Sequence, residues 1–253
     1  MNIVITNPSG LTDAHIASLR ELGDVVIYTD TNPKNAVARL KDAEVAVLDC
    51  FLTPVTKELL SHAPNLKYFT INSTGYDHVD VEAVRCAHIV ASNVPGFSTS
   101  AVAELAIGLM FAAVRKIAQG DREFRAGLYA VDPGTPEAER YLGFDLEGKT
   151  MGVVGLGSIG ARVAAMGAGI GMRVIGYNRT PKDIPGVQSM TLDELMRQAD
   201  AVMICLARNQ GTAGLITKEL ISKMKTSAVL INIAGMDIVD QAALVEALNS
   251  ASI

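Results

Sequence analysis

The segment Gly155-Leu-Gly-Ser-Ile-Gly160 spaces three glycines as G-x-G-x-x-G, between an apolar run at Thr150–Val154 and a helix-like stretch at Ala161–Gly169. Such a turn suits phosphate binding. Gly155 permits a tight bend, Gly157 lets backbone N–H groups approach a pyrophosphate, and Gly160 lets the helix pack closely on the strand. A second buried strand, Arg173–Tyr177, follows. That strand-turn-helix-strand order separates a dinucleotide site from a glycine-rich helix start without a ligand.

The residues ending the second strand bear on which dinucleotide. An acidic side chain there accepts hydrogen bonds from the ribose 2′-OH and repels a 2′-phosphate. This chain has Asn178-Arg179-Thr180 instead. A neutral amide, a guanidinium suited to phosphate and a hydroxyl donor make a cradle for a 2′-phosphate, so the reading favours NADP(H). The alternative is a solvated Arg179 with relaxed cofactor choice.

These residues need a frame to hold them. A chain of 253 residues accommodates two domains of ordinary size. The apolar fraction, 49%, exceeds the usual balance, and it is assigned to buried parallel strands and a subunit interface. The nearest imitation of a membrane span, Ala101–Val114, holds Glu104 and Gly108 and runs into Arg115-Lys116, so it reads as a packed helix. The amino terminus opens on a strand-like segment without an export signal, which makes the cytoplasm the expected location. Cys50, Cys86 and Cys205 are widely spaced, without metal-ligand clustering, and are expected to be small, buried and reduced. A net charge of −5, with no basic run among aromatics, argues against nucleic acid as a partner.

Along the first part of the chain, strand-sized apolar runs (Ile3–Thr6, Val25–Tyr28, Val45–Leu48, Tyr68–Ile71, Ile89–Ala91) alternate with helix-like segments at Thr12–Leu22 and Asp80–Arg85. That alternation predicts a parallel sheet covered by helices, an α/β fold. Asn93-Val-Pro-Gly96 punctuates the chain before a long apolar helix at Thr99–Lys116, placing a domain boundary between residues 95 and 96. Arg125–Lys149 shows little periodicity, and Asp132-Pro-Gly-Thr-Pro136 reads as a loop or arm. A second unit, 96–253, follows with strands at Thr150–Val154, Arg173–Tyr177, Gln188–Met190, Ala201–Cys205 and Ala228–Ile233. Its covering helices are Leu192–Gln198, Lys218–Lys225 and Gln241–Asn249.

Four motifs, in order, resemble the D-isomer-specific 2-hydroxyacid dehydrogenases: Asn72-Ser-Thr-Gly-Tyr-Asp-His-Val-Asp80, Asn93–Glu104, Gly155–Gly160 and Met224–Asp240. The branch that reduces glyoxylate or hydroxypyruvate with NADPH looks nearest. The resemblance implies a flavodoxin-like substrate domain over 1–95, a Rossmann cofactor domain over 96–253, a cleft between them and a homodimer built on the cofactor domains. It implies that Ser158 and Ile159 touch the pyrophosphate, that Asn178, Arg179 and Thr180 take the adenosine end, and that Ile233 and Ala234 line the nicotinamide. Backbone N–H groups of Ser73-Thr74-Gly75 would bind the carboxylate of a small 2-oxo or 2-hydroxy acid, as successive amides in a turn do.

The family's catalytic set is an Arg, a Glu and a His. Gly235 stands where the Arg would be, and the positions of the Glu and His would fall beyond residue 253, in a C-terminally shortened cofactor domain. The catalytic residues are therefore unassigned. Arg208, in a loop where relatives carry Leu-Pro-Leu-Thr-like residues, could bring a cation to the site, though an exposed loop Arg is the blander reading. His78 is the best substitute acid among His15, His62, His78 and His88. Glu104 reads as a charge complementing the start of the long helix, and Asp77 and Asp80 as turn and cap residues. Three functions are consistent with this: an NADP(H)-dependent oxidoreductase of a small 2-oxo or 2-hydroxy acid, slow in turnover; a non-catalytic or regulatory NADP(H)-binding relative; and a reductase of changed chemistry, such as of an imine.

Overall fold

The computed structural model describes residues 1–128 and 135–253, so Asp132–Gly134 of the expected loop lie outside the described residues. The chain divides into two compact units, Met1–Ser98 and Thr99–Ile253. The division thus falls at the start of the long helix rather than at 95/96, where the Asn93–Gly96 turn places it.

The first unit holds β1 (Asn2–Ile5), α1 (Asp13–Leu22), β2 (Asp24–Ile27), α2 (Ala36–Leu40), β3 (Val45–Leu48), α3 (Lys57–Ser61), β4 (Tyr68–Ile71), α4 (Val81–Cys86) and β5 (Val90–Ser92). Its strands are parallel in the order β2-β1-β3-β4-β5, the flavodoxin-like order. Helix starts are marked by local chemistry. Thr12 Oγ1 accepts from His15 N while His15 Nδ1 accepts from Thr12 N, and Asp80 caps α4 by accepting from Ala83 N at 2.9 Å.

The second unit begins with α5 (Thr99–Val114), α6 (Ile117–Arg125) and α7 (Pro136–Glu139). It continues through β6 (Thr150–Val154), α8 (Ser158–Gly169), β7 (Arg173–Tyr177), β8 (Val187–Ser189), α9 (Leu192–Gln198), β9 (Ala201–Ile204), α10 (Lys218–Ile221), β10 (Val229–Asn232) and α11 (Gln241–Asn249). The parallel order β10-β9-β6-β7-β8 is that of a Rossmann sheet, reversing direction between β6 and β9. Strand β6 is buried throughout, as a central parallel strand covered on both faces must be. Its alternate residues feed two cores: Met151 and Val153 pack with α5 and α8, and Val154 packs with Leu195 and Met196 of α9.

Several expectations need correction. The long helix stops at Val114, Lys116 takes a left-handed φ of 54°, and Ile117–Arg125 forms a separate helix. The helix read over Lys218–Lys225 is regular only to Ile221. Glu104 lies beyond the first turn of α5, where the helix dipole no longer favours it. Among the described residues no helix is long and apolar enough to cross a membrane. Of the cysteines only Cys50 is fully buried. Cys86 is exposed, and Cys205 is half-buried with its thiol pushed up to about 12 by burial.

Candidate cofactor site

The carboxyl edge of the second sheet is built by the turns that leave β6, β7, β9 and β10. After β6, Gly155 adopts φ +97°, and a Cβ there would stand 2.9 Å from the Cys205 carbonyl oxygen. Gly160 is tighter: a Cβ would stand 1.9 Å from the Gly155 carbonyl oxygen. Gly157 caps α8 with no side-chain bond, and a Cβ placed on it would meet nothing within 4 Å. The first turn of α8, with Ser158 exposed and Ile159 packed on the core, thus offers unsatisfied N–H groups to open space. Backbone donors with room in front of them fit a pyrophosphate.

At the end of β7, the Asn178 carboxamide is engaged at both ends. Its Oδ1 accepts from Leu156 N at 3.0 Å, and its Nδ2 donates to the Thr180 carbonyl at 2.6 Å. Asn178 thereby ties the glycine turn to the turn carrying Arg179. Arg179 is exposed and makes no hydrogen bond among the described residues. It lines a cavity of about 210 Å³ with Asn178, Thr180, Ala207, Asn209 and Thr212. Lys182 Nζ donates to the Leu156 carbonyl at 3.0 Å, a second cation at this end that sequence alone does not reveal. No local motif signals it, since the contact links residues 26 positions apart.

After β10, Ile233 N donates to the Ile204 carbonyl at 3.2 Å, and Ala234 N to Asn232 Oδ1 at 3.0 Å. This sets both residues beside the turn that leaves β9. Arg208 reaches across from that turn. Its Nε donates to both carboxylate oxygens of Asp237 at 3.0 Å, and its stem lies over Gly235. No residue beside Arg208 in the chain sets its direction; Asp237 does.

The amino ends of β6 and β9 are clamped together by Asp200, which accepts from Thr150 N at 2.8 Å and Lys225 Nζ at 2.7 Å. Burial pushes its carboxyl up, but the Lys225 and Thr150 bonds outweigh this and hold it below the ordinary value.

In the first unit, Ser73, Thr74 and Gly75 follow β4. Their side chains and carbonyls are tied locally: Ser73 Oγ donates to the Gly75 carbonyl at 2.7 Å, Thr74 Oγ1 to the Val94 carbonyl at 3.0 Å, and Asn93 Nδ2 to the Thr74 carbonyl at 2.8 Å. Their three backbone N–H groups have no acceptor among the described residues. His78 packs its ring edge-on against Phe51, centroids 5.0 Å apart, and no side chain among the described residues hydrogen-bonds to it.

Residues 107–253 match the D-isomer specific 2-hydroxyacid dehydrogenase, NAD binding domain. The chain belongs to the D-isomer specific 2-hydroxyacid dehydrogenase family. A glyoxylate reductase of Pyrococcus horikoshii is 35% identical over 245 residues, which are 94% of this chain and 73% of that protein. A D-3-phosphoglycerate dehydrogenase of Methanocaldococcus jannaschii is 34% identical over all of this chain, which spans only 47% of that longer protein. Among solved structures, an acyclic imino acid reductase in complex with NADPH and D-Arg superposes with a TM-score of 0.89 at 34% identity, covering all of this chain and 80% of that one. The pairing of Arg208 with Asp237 above a glycine is a feature of this chain's own residues.

Proposed function

We propose that the protein binds NADPH in preference to NADH and acts as an oxidoreductase of a small 2-oxo or 2-hydroxy acid. The observation that carries this reading is the open cradle at Gly157 together with an Arg179 that has no protein partner among the described residues. In it, the N–H groups at Ser158, Ile159 and Gly160 hold the pyrophosphate, and Gly155 and Gly157 let it approach. Arg179 pairs with the 2′-phosphate, Asn178 and Thr180 shape its turn, and Ile233 and Ala234 flank the reactive ring. The bound cofactor supplies hydride to an electrophilic carbon. The free amides of Ser73, Thr74 and Gly75 are proposed to receive a carboxylate.

A reduced carbonyl also needs a proton at its oxygen. The four histidines of the sequence, His15, His62, His78 and His88, all fall in Met1–Ser98. His78, the candidate acid, has Phe51 against its ring, and among the described residues no side chain hydrogen-bonds to it. An oriented general acid is worth about two to four powers of ten in rate, so His78→Ala should lower turnover of 2-oxo acids by that factor where His78 supplies the proton.

A second reading is the reduction of an imine, whose nitrogen carries its proton before hydride arrives. The similarity to an imino acid reductase bound to NADPH favours it. The test is NADPH consumption with glyoxylate, hydroxypyruvate and pyruvate, each alone and with an added amine. Fast turnover of the acids alone supports the first reading with an acid in place, and turnover only with amine supports the second. Neither reading survives if NADPH does not bind.

For the assembly we propose a homodimer, with location in the cytoplasm. Leu105 and Leu109 of α5, Ile117 and Phe124 of α6, Leu128 and Leu142 are all exposed in the single chain, an apolar surface suited to a second copy.

A further inference from the structure

We propose that Arg208, fixed above Gly235 by Asp237, is an anchor for a carboxylate group of the small molecule that meets the reactive end of the cofactor. This rests on the cofactor reading given above.

The placement comes from the sheet. Strands β9 and β10 are parallel neighbours with Ile204 opposite Asn232, so the turn carrying Arg208 and the turn carrying Gly235 and Asp237 leave the same carboxyl edge side by side. Ligands of doubly wound sheets bind along that edge, at the point where strand order reverses. The reversal lies between β6 and β9. With the pyrophosphate over the turn after β6 and the adenosine end over β7, the other half of the dinucleotide extends over β9 and β10, where Arg208 stands.

Gly235 explains how the arginine is held. Its φ of −68° is ordinary for any residue, so the backbone does not call for glycine. What the missing side chain supplies is room. A Cβ there would stand 2.8 Å from Arg208 Cδ, 3.1 Å from Cγ and 2.6 Å from Asp237 Oδ1. The stem of Arg208 occupies that room, and the two oxygens of Asp237 fix Nε from the side.

The charged end is left open. Neither Nη1 nor Nη2 of Arg208 hydrogen-bonds within the described residues, and the side chain remains 46% exposed, that of Asp237 41%. Two terminal nitrogens in one plane match the two oxygens of a carboxylate. Because Nε is already held, little side-chain freedom remains to be lost on binding. Arg208 is also the sole cation in 205–217 and in 233–253, the sequence that follows β9 and β10. An anion arriving at this end has no other positive side chain from those turns to meet.

The test uses the whole chain saturated with NADPH, titrated calorimetrically with oxamate, an unreactive 2-oxo carboxylate, and with its neutral counterpart oxamide. Oxamate should bind at least tenfold tighter than oxamide. Arg208→Met, which keeps a stem over Gly235, should weaken oxamate tenfold or more while NADPH affinity stays within twofold of wild type. Arg208→Lys, which keeps the charge, should recover part of the loss. A smaller drop in Arg208→Met, or equal binding of oxamate and oxamide by the wild type, overturns the anchor while leaving the cofactor reading intact. Failure of the wild type to bind NADPH overturns both. Thermal unfolding of each variant checks that it is folded, and for a misfolded Arg208→Met the same tenfold criterion applies to Arg208→Gln.

Discussion

Gly160 and Gly235 lie on the same edge of the second sheet, and both lack a side chain for want of space, but unlike neighbours fill that space. At Gly160 the neighbour is backbone, the Gly155 carbonyl oxygen, fixed by the turn itself. At Gly235 the neighbours are the ends of two side chains, Arg208 and Asp237, which can swing away. The first glycine serves the close contact of helix and strand in a dinucleotide turn. The second makes room for a cation delivered from another loop. The same residue type therefore marks a rigid site in one place and an adjustable one in the other.

The largest expected effect breaks the rigid side. In Gly160→Ala the new methyl meets an oxygen that cannot yield without opening the turn. A cost of about 3 kcal/mol, the upper end for overpacking, is expected, with NADPH binding lost alongside. Thermal unfolding and fluorescence titration measure both, and a variant that binds NADPH as tightly as wild type would remove the distinction between the two glycines.

Next in size are changes at the end of β7, among them Arg179→Ala, which leaves the glycine turn intact and removes the cation proposed for the 2′-phosphate. The preference for NADPH over NADH should fall by roughly ten- to a hundredfold, the worth of one charge-assisted hydrogen bond. Unchanged affinity ratios would mean that Arg179 points into solvent. Asn178→Asp is a harsher change than its size suggests. The new carboxylate keeps the bond from Leu156 N but faces the Thr180 carbonyl, which now accepts from Nδ2 at 2.6 Å. It should disturb the Arg179 turn as well as repel phosphate, lowering NADPH affinity more than Arg179→Ala does.

Gly235→Ala tests the adjustable side. Because only side-chain ends must move, stability should change by less than about 1 kcal/mol, with oxamate affinity falling about fivefold and NADPH affinity unchanged. Gly235→Arg should not add a useful cation, since its stem requires the room that Arg208 now fills. Destabilisation of Gly235→Ala as severe as that of Gly160→Ala would show the two sites to be equally rigid.

The smallest effect near neutral pH comes from Asp200, which clamps the far ends of β6 and β9 and so underlies both turns. Its carboxyl is lowered from 3.8, so its stabilising contribution is fully present above that value and is lost as pH falls through the depressed native value. The unfolding midpoint of the wild type should therefore drop more steeply on acidification than that of Asp200→Asn, the two curves converging in acid. Parallel curves would mean that Lys225 and Thr150 do not hold the carboxylate in solution.

What the sequence determined by itself was what neighbouring residues can encode. The glycine turn was legible because its three glycines fall within six consecutive residues, and Gly155 and Gly160 act on each other. The apolar runs of β3, β4, β6, β7 and β9 were legible because buried parallel strands are apolar along their whole length. The five-residue helices α2 and α3 went unread because they are too short to display a helical period, and α6 because its few apolar positions follow directly on those of α5. The tertiary structure decided what distant residues do to one another. Arg208 and Asp237 are 29 positions apart and meet because β9 and β10 are adjacent strands; Asn178 is committed to Leu156, 22 positions away, because β6 and β7 are. A parallel sheet joins turns separated by whole helices at one edge, so the direction of a side chain such as Arg208 is set by the order of the strands rather than by the residues beside it.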